Sequence, residues 1–590
     1  MVLSVLQAVW LLGAMAGAPG DFLVGSHIHP DNLANQWLLP WAVDTALSGG
    51  ELMHTTAYYW PVGDAPLLSG DGTQALLYSV FHVVVGWPSA VPLYVGLVLV
   101  LNGLSGWLAA RWVSGSGMAA LVAVPVCGAS PFVLMELSAG RFSQAAVWPL
   151  WLFLGVWWRY LVRPGPGLAV LSAGVLFYTT FSYWYYGWFG VLAGALMWLA
   201  MRREHPAAER WTHWRWHGLF SAVFLVLLAP LAWRFFVHWS AVPGSGETTV
   251  FPPESASFDR LPLLPVLLPG DPNTTAALQS VVALVLAGVG VARGDRPARS
   301  WALVGVVFLM LGWGPAFSGA PYTTLYGLAA PLRRFWWPVR HVVLVHGAVG
   351  VLAAVAVARL SKHPGWGVVG ALGVWASLWV QGAPGEVERT PLVFPPDGYA
   401  QLANLPGGPV LAFPLAPEAT GTNDAMLHQL AHGHPMVTGH SPWVARARPA
   451  EWDAWVAETG LLARMADLER AGWAGGSVTV TAADVQAVQD SGVRWLVLDR
   501  TLVPLSLKGM VRAHDALLDA VFGRPVVRTS DVQVWDVSQA KGAVTVDLPA
   551  WKWPAGIRPA GPEHPLSARR PESPMLGTPS GAVDRHSPNP

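Results

Sequence analysis

Eleven apolar runs, each suited in length to crossing a bilayer, dominate this chain and leave it few folds to choose from. They fall at about 2–18, 90–110, 117–135, 144–162, 167–182, 184–201, 218–237, 274–292, 300–316, 336–360 and 365–383. With 53% hydrophobic and only 12% charged residues among 590, against about 25% charged in soluble domains, the runs read as membrane spans. The stretch 167–201 is too long for one span, and "FSYWYYGW" in its middle reads as an aromatic interfacial hairpin that divides it. The run 74–86 is too short to cross and reads as a re-entrant or surface helix.

Residues 1–18 end in "AMAGA", as a cleavable leader does, but carry no Lys or Arg before the apolar run. With many spans following, the segment reads as a first transmembrane helix, and the true coding start is expected slightly upstream. Placing the N-terminus inside puts Arg111, Arg159, Arg163, Arg202, Arg203, Arg210, Arg215, Arg293, Arg296, Arg299, Arg359 and Lys362 in inner loops, as positive-inside bias requires. Counting 74–86 as a span, or 167–201 as one, would send these later clusters outside. The expected topology is therefore N-in and C-out. The long first loop 19–89, the segments 136–143, 238–273 and 317–335, and everything after 384 then share the outer face.

The character changes near residue 390. "GGPVLAFPL", "GVRWLVLDR" and "PVVRTSDVQVWDV" read as strands, and "PAEWDAWVAETGLLARMADLERAG" has helical spacing with a terminal Gly. The expected domains are a transmembrane domain over 1–385, an extracytoplasmic α/β domain over 386–545 and a disordered Pro-rich tail over 546–590. The fold class is thus an α-helical polytopic membrane protein of about eleven helices with a small extracytoplasmic α/β C-terminal domain. A zero net charge without any basic tract gives no sign of nucleic-acid binding, and the single cysteine, Cys127, excludes an internal disulfide and a thiolate metal cluster.

Chemistry-bearing residues concentrate on the outer side. The first loop opens "GSHIHPDNLANQWLLPWAVDTAL", where Leu33, Trp37 and Trp41 recur at helical spacing, as in a helix lying flat at the interface. Asp31 stands at the start of that helix, either as its N-cap or as a catalytic or metal-binding carboxylate. His27 and His29 are two apart, without the spacing of a zinc helix, and Asp64 and Asp71 beside glycines read as turn residues. Tyr58, Tyr59 and Trp60 in "YYWPVGD" suit an interface or the face of a sugar.

In the second outer loop, "MELSAGRFSQAAVW", Glu136, Arg141 and Gln144 sit at the rim of spans, where charge is costly. Glu136 and Arg141 either pair with each other or contact a ligand. "APLRRFWWPVRHVVLVH" carries Arg333, Arg334 and Arg340 on the side that should be poor in positive charge. Guanidinium forks match phosphate oxygens, and the adjacent aromatics match an isoprenoid or acyl chain; headgroup snorkelling or pairing with loop acids is the alternative. "HQLAHGHPMVTGH" groups His428, His432, His434 and His440, of which the first two could bind zinc if helical, although a structural role suits the Gly and Pro that follow.

The acidic residue in a long first outer loop, the "YYWPVGD" segment, about eleven spans and an outer α/β domain together resemble the bacterial GT-C superfamily of multi-span membrane glycosyltransferases. "SAGRFSQAAVWPL", "RRFWWPVRH" and "HQLAHGHPMVTGH" resemble uncharacterised multi-span relatives of that superfamily. The resemblance covers nearly all of 1–540. It implies a bacterial inner-membrane enzyme that moves a sugar from a polyprenyl-phosphate donor to a glycan, lipid or protein acceptor outside. It also implies that Asp31 is the catalytic base or metal ligand, with Mg²⁺ or Mn²⁺ as the cation such a ligand would hold. On that reading Arg333, Arg334 and Arg340 hold the donor phosphate, and Tyr58, Tyr59, Trp60, Glu136, Arg141 and Gln144 contact substrate. The competing reading is a non-enzymatic envelope-assembly or lipid-linked glycan binding or transport protein that uses the same arginines and aromatics to bind without reacting.

Overall fold

The computed structural model describes residues 1–26, 30–52, 54–63, 72–201, 207–241, 280–315, 319–328, 337–360, 363, 365–380, 387–392, 394–413, 415, 422–438, 449–500 and 508–552. The side chains of a few helical residues, Asp31 among them, also lie outside the description. The chain divides into two compact units. The first comprises Met1–Pro396, Met426–Ala431 and Gly439–Ala450, and the second Asp397–Ala425, His432–Thr438 and Glu451–Pro590.

In the first unit the helices are α1 (Val2–Leu12), α2 (Pro30–Leu47), α3 (Gly72–Val85), α4 (Ala90–Ser114), α5 (Ala123–Gly128), α6 (Pro131–Ser138), α7 (Phe142–Ala145) and α8 (Trp148–Val162). They continue as α9 (Pro166–Ser182), α10 (Trp184–Met201), α11 (Ala207–Ala241), α12 (Val281–Arg293), α13 (Arg296–Gly312), α14 (Pro321–Leu328), α15 (Val342–Leu360) and α16 (Gly365–Val380). Helical segments thus occupy all eleven apolar runs. Among the described residues, five stretches are long and apolar enough to cross a membrane on their own: Ala90–Ser114, Ala119–Ser138, Phe142–Val162, Trp214–Trp233 and Pro338–Leu360. The protein is a multi-span membrane protein.

Small residues let these helices approach closely, as expected where lipid supplies no hydrophobic drive for helix association. Gly347 of α15 faces the Trp151 ring of α8, Gly106 of α4 faces Cys127, and Gly367 of α16 lies against the backbone of Met118. A side chain at any of the three would overlap its neighbour. The α4 helix also carries a fully buried amide, Asn102, opposite the gap between α7 and α8. Its Nδ2 donates to the Ala145 carbonyl at 2.9 Å, and its Oδ1 accepts from the Trp148 N–H at 2.8 Å. The Ala145 carbonyl also accepts from the Val147 N–H at 3.0 Å, so the group at the helix break that depends on Asn102 is the Trp148 N–H.

The first loop is tied down by a short antiparallel pair, β1 (Phe22–Val24) with β2 (Arg389–Pro391), in the register Phe22↔Pro391. After it, α2 runs through Pro40 without ending. The reading of α2 as a flat interfacial helix needs correction at Trp37. That ring is buried, stacks on Trp41 at 5.4 Å, and donates from Nε1 to Gln429 Oε1 at 2.7 Å. Leu33 is likewise buried against Leu23 and Leu427. The four-residue spacing marks a face covered by protein rather than by headgroups. The α3 helix buries Gln74 and Tyr78 while Leu76, Val80, Val83 and Val84 stay exposed on another face.

The second unit contains α17 (Asp397–Leu402), β3 (Val410–Phe413), the two ends of α18 (Thr422–His432), whose middle, Met426–Ala431, belongs to the first unit, α19 (Ala450–Glu458), α20 (Gly460–Ala471), β4 (Gly476–Val480) and α21 (Ala482–Asp490). These are followed by β5 (Trp495–Asp499), α22 (Lys508–Phe522), β6 (Val527–Arg528), β7 (Val532–Asp536) and β8 (Val544–Leu548). One sheet has the order β3-β5-β7-β6, with β3 parallel to β5 and the other pairs antiparallel; β4 and β8 form a separate pair. Every residue of "WLVLD" in β5 is buried, as befits a central strand. A capping box between Thr481 and Asp484 fixes the start of α21.

Candidate active site

The start of α2 sits on the loop between α6 and α7, where glycine is required. Gly140 adopts φ +68°, and a Cβ there would overlap both the backbone and the amide of Asn32. Asn35 Nδ2 donates to the Gly140 carbonyl at 2.8 Å, and the Ser26 N–H donates to the Ser138 carbonyl at 2.8 Å. Asn32 is fully buried and donates from Nδ2 to the Ser26 carbonyl at 3.1 Å. Asp31, the residue before it, therefore has its backbone in the first turn of a helix that abuts this loop.

The loop itself is closed by an ion pair. The Arg141 N–H donates to the Glu136 carbonyl at 2.8 Å, and Arg141 Nη1 lies 3.2 Å from Glu136 Oε2. The pair is buried, its carboxylate 1% and its guanidinium 13% exposed. On the next turn the Gln144 carbonyl accepts from the Tyr186 hydroxyl, whereas Gln144 Oε1 is buried without a hydrogen-bond partner among the described residues. A buried amide oxygen left unpaired is costly, and a ligand hydroxyl could satisfy it.

Arg340 reaches the same place from the 3-10 turn Pro338–His341. It is buried, and its Nη1 donates to the Tyr183 hydroxyl. Its guanidinium carbon lies 4.8 Å from the Trp337 ring centre, 5.0 Å from Tyr185 and 5.6 Å from Tyr183. Arg141 approaches Trp337 as well, at 5.7 Å, so both guanidinium groups share one indole. Tyr183 and Tyr185 stack at 5.2 Å with an 8° tilt, and Tyr183 meets Tyr186 edge-on. Behind them the His341 ring lies against Phe189 at 4.6 Å, its Nδ1 2.9 Å from the Pro338 carbonyl.

The electrostatics are asymmetric. Arg141 has its own carboxylate, whereas no carboxylate among the described residues pairs with Arg340. Its partners are a phenol, neutral at physiological pH, and three aromatic faces that attract a cation without neutralising it. Such a desolvated guanidinium is suited to an anion, most of all to phosphate.

The predicted site residues thus divide. Glu136, Arg141, Gln144 and Arg340 come together with the helix that carries Asp31. Arg333, Arg334, His27, His29, Asp64, Asp71 and His440 lie outside the described residues. Tyr58 and Tyr59 are buried, Tyr58 edge-on to Trp37 at 5.3 Å and 5.4 Å from Tyr59, while Trp60 is half-exposed. His428 and His432 do lie on one helix, but His432 stacks on Tyr399 at 5.8 Å and on His434 at 5.5 Å. Among the described residues no group of three His, Cys, Asp or Glu is placed to hold a metal ion. Tyr183, Tyr185, Tyr186 and His341 were not singled out from sequence; the signal for the three tyrosines was the aromatic run "FSYWYYGW" itself.

The fold is that of the GT-C membrane glycosyltransferases. The chain is similar to the mycobacterial arabinofuranosyltransferase AftD, with 16% identity, a TM-score of 0.50 and coverage of 91% of this chain and 39% of that one. It thus spans well under half of that relative. Less similar are the oligosaccharyltransferase of Archaeoglobus fulgidus (11% identity, TM-score 0.42, 86% of this chain and 68% of that one) and ArnT from Cupriavidus metallidurans bound to undecaprenyl phosphate (14%, 0.37, 91% and 98%). No family model and no curated protein matches the sequence.

Proposed function

We propose that this protein is a membrane glycosyltransferase that moves a sugar from a polyprenyl-phosphate donor to an extracytoplasmic acceptor. The observation that carries the proposal is Arg340, a buried guanidinium held by Tyr183 and three aromatic faces beside a loop that abuts the helix of Asp31. In a GT-C fold this is a seat for the phosphate of a lipid carrier, with Arg333 and Arg334 as further cations from the same segment. The acceptor hydroxyl attacks the anomeric carbon, the bond from that carbon to the phosphate oxygen breaks, and polyprenyl phosphate departs with the bonding pair. Phosphate is a good leaving group, so cations suffice to stabilise it. The proton of the acceptor passes to Asp31 as general base. If a Mg²⁺ or Mn²⁺ ion takes part, Asp31 is the residue to which it would be assigned.

The topology proposed with this function has eleven crossings, a cytoplasmic N-terminus and the strand-bearing C-terminal unit outside a bacterial inner membrane. The runner-up is a lipid-linked glycan carrier. It draws on one observation: Glu136, the carboxylate described in the cluster, is already engaged by Arg141.

The test is transfer from a panel of radiolabelled polyprenyl-phosphate sugars in membranes, comparing wild type with Asp31→Asn and Arg340→Gln at equal expression. Loss of transfer with donor binding kept in Asp31→Asn, and loss of both in Arg340→Gln, is the expected result. Donor binding by the wild type without transfer from any sugar would replace the enzyme by the carrier.

A further inference from the structure

Away from the arginine cluster, a groove of about 430 Å³ opens between α8, α9, α10 and α11. Its floor is made of small residues on α10, Gly190, Gly194 and Ala195, and its walls are aromatic, with Trp157 on one side and Phe220 on the other. The indole of Trp157 is pinned by donating from Nε1 to the Gly194 carbonyl at 2.9 Å. Val191 and Leu225, on opposite walls, are exposed, so the groove opens onto the surface that faces lipid. Within four apolar helices and open toward lipid, such a slot is filled by an apolar chain.

One end of the groove is different. There the Tyr160 hydroxyl and His217 Nδ1 lie 3.0 Å apart and join α8 to α11. Trp198 and Trp214 meet edge-on at 6.1 Å beside them, as an interfacial aromatic belt would place them. Arg163 lies one turn past Tyr160 on the chain leaving α8, and Arg215 lies two residues before His217 on α11. Both are exposed, and neither pairs with a carboxylate among the described residues. An apolar slot, an aromatic collar and two unneutralised guanidinium groups at its end form, in order, the complement of a chain, a glycerol backbone and an anionic headgroup.

We propose that this groove binds an anionic phospholipid, with one acyl chain in the slot and the phosphate at the Arg163 and Arg215 end. The proposal is independent of the sugar-transfer reading, since none of its residues belongs to the arginine cluster.

The test uses the full-length protein in nanodiscs containing photoactivatable phosphatidylglycerol or phosphatidylcholine, each with a diazirine on the acyl chain, with labelled peptides mapped by mass spectrometry. Peptides covering 190–195 and 220–225 should be labelled several-fold more by phosphatidylglycerol than by phosphatidylcholine. Arg163→Gln with Arg215→Gln should abolish that preference. Ala195→Phe, which fills the slot from an exposed position, should remove the labelling at unchanged Tm; Ser221→Phe does the same from the opposite wall should the first variant fold poorly. Equal labelling by the two lipids, or labelling no stronger than on the exposed face of α16, would overturn the proposal in favour of ordinary boundary lipid. Displacement of phosphatidylglycerol by equimolar undecaprenyl phosphate would overturn the assigned occupant.

Discussion

Glu136 and Arg141 form an ion pair of 3.2 Å across a single turn, bringing the end of α6 to the start of α7. Losing one partner of a fully buried pair costs about 3–5 kcal/mol, because the other charge stays desolvated. The residual exposure of Arg141 sets the expected loss for Glu136→Gln near the lower end of that range. Arg141→Gln should cost a similar amount, and the double variant should recover part of the sum. Thermal unfolding of the four proteins in detergent closes the cycle; strictly additive losses would show that the pair is not coupled.

Arg340 makes a different kind of prediction, since on the proposed reading its guanidinium holds the donor phosphate. A hydrogen bond to a charged group contributes about 1.5–3 kcal/mol, so Arg340→Gln should weaken binding of labelled polyprenyl phosphate by roughly 10- to 150-fold. Arg340→Lys should not restore it. An ammonium keeps the charge but lacks the planar fork that stacks on Trp337 and Tyr185 while donating to Tyr183. Unchanged affinity in either variant would remove Arg340 from the phosphate site.

What the sequence made legible follows from which interactions are local. The apolar runs are local, and helical segments occupy all of them. The choice between pairing and ligand contact for Glu136 and Arg141 was visible because only four residues, one of them a glycine, separate them. Trp37 was misread because four-residue spacing marks a covered face without saying whether lipid or protein covers it. The Arg340–Tyr183 contact joins residues 157 positions apart, and no pattern within either segment encodes it. "FSYWYYGW" read as an interfacial hairpin, although the same rings can also cage a cation. Burial against Arg340 separates the two, and burial is a property of the fold.

Gly140 tests whether the first loop is seated by the second. Alanine there would need a left-handed backbone and would also overlap Asn32 at its backbone, which cannot move as a flexible side-chain end can. Gly140→Ala should displace the first turn of α2 and with it Asp31. The expected outcome is a loss of transfer far larger than the loss of Tm, with donor binding at Arg340 largely retained. Limited proteolysis of the first loop offers a second measure, since an unseated α2 should be cut faster. Wild-type transfer rates in this variant would show that the seat does not position the chemistry.

Asn102 provides the most demanding prediction, because it acts on the site from the middle of a span. Its amide bridges the Ala145 carbonyl, which the Val147 N–H also reaches at 3.0 Å, and the Trp148 N–H, freed where α7 gives way to α8. The loop that carries Glu136 and Arg141 leads directly into this break. In a membrane interior no water replaces a lost partner, so each orphaned backbone group should cost about 1–3 kcal/mol. Asn102→Leu keeps a similar volume and removes both bonds but orphans only the Trp148 N–H, since the Val147 N–H still reaches the Ala145 carbonyl, so a loss of about 1–3 kcal/mol is expected. Asn102→Asp keeps only the acceptor for the Trp148 N–H and should fall between the two. If leucine proved neutral in thermal unfolding, another group would have to accept from the Trp148 N–H, and the break would owe nothing to α4. If stability fell as expected but transfer survived, the break would be a device of packing alone. A joint loss would place Asn102 among the residues that set the position of the Glu136–Arg141 loop.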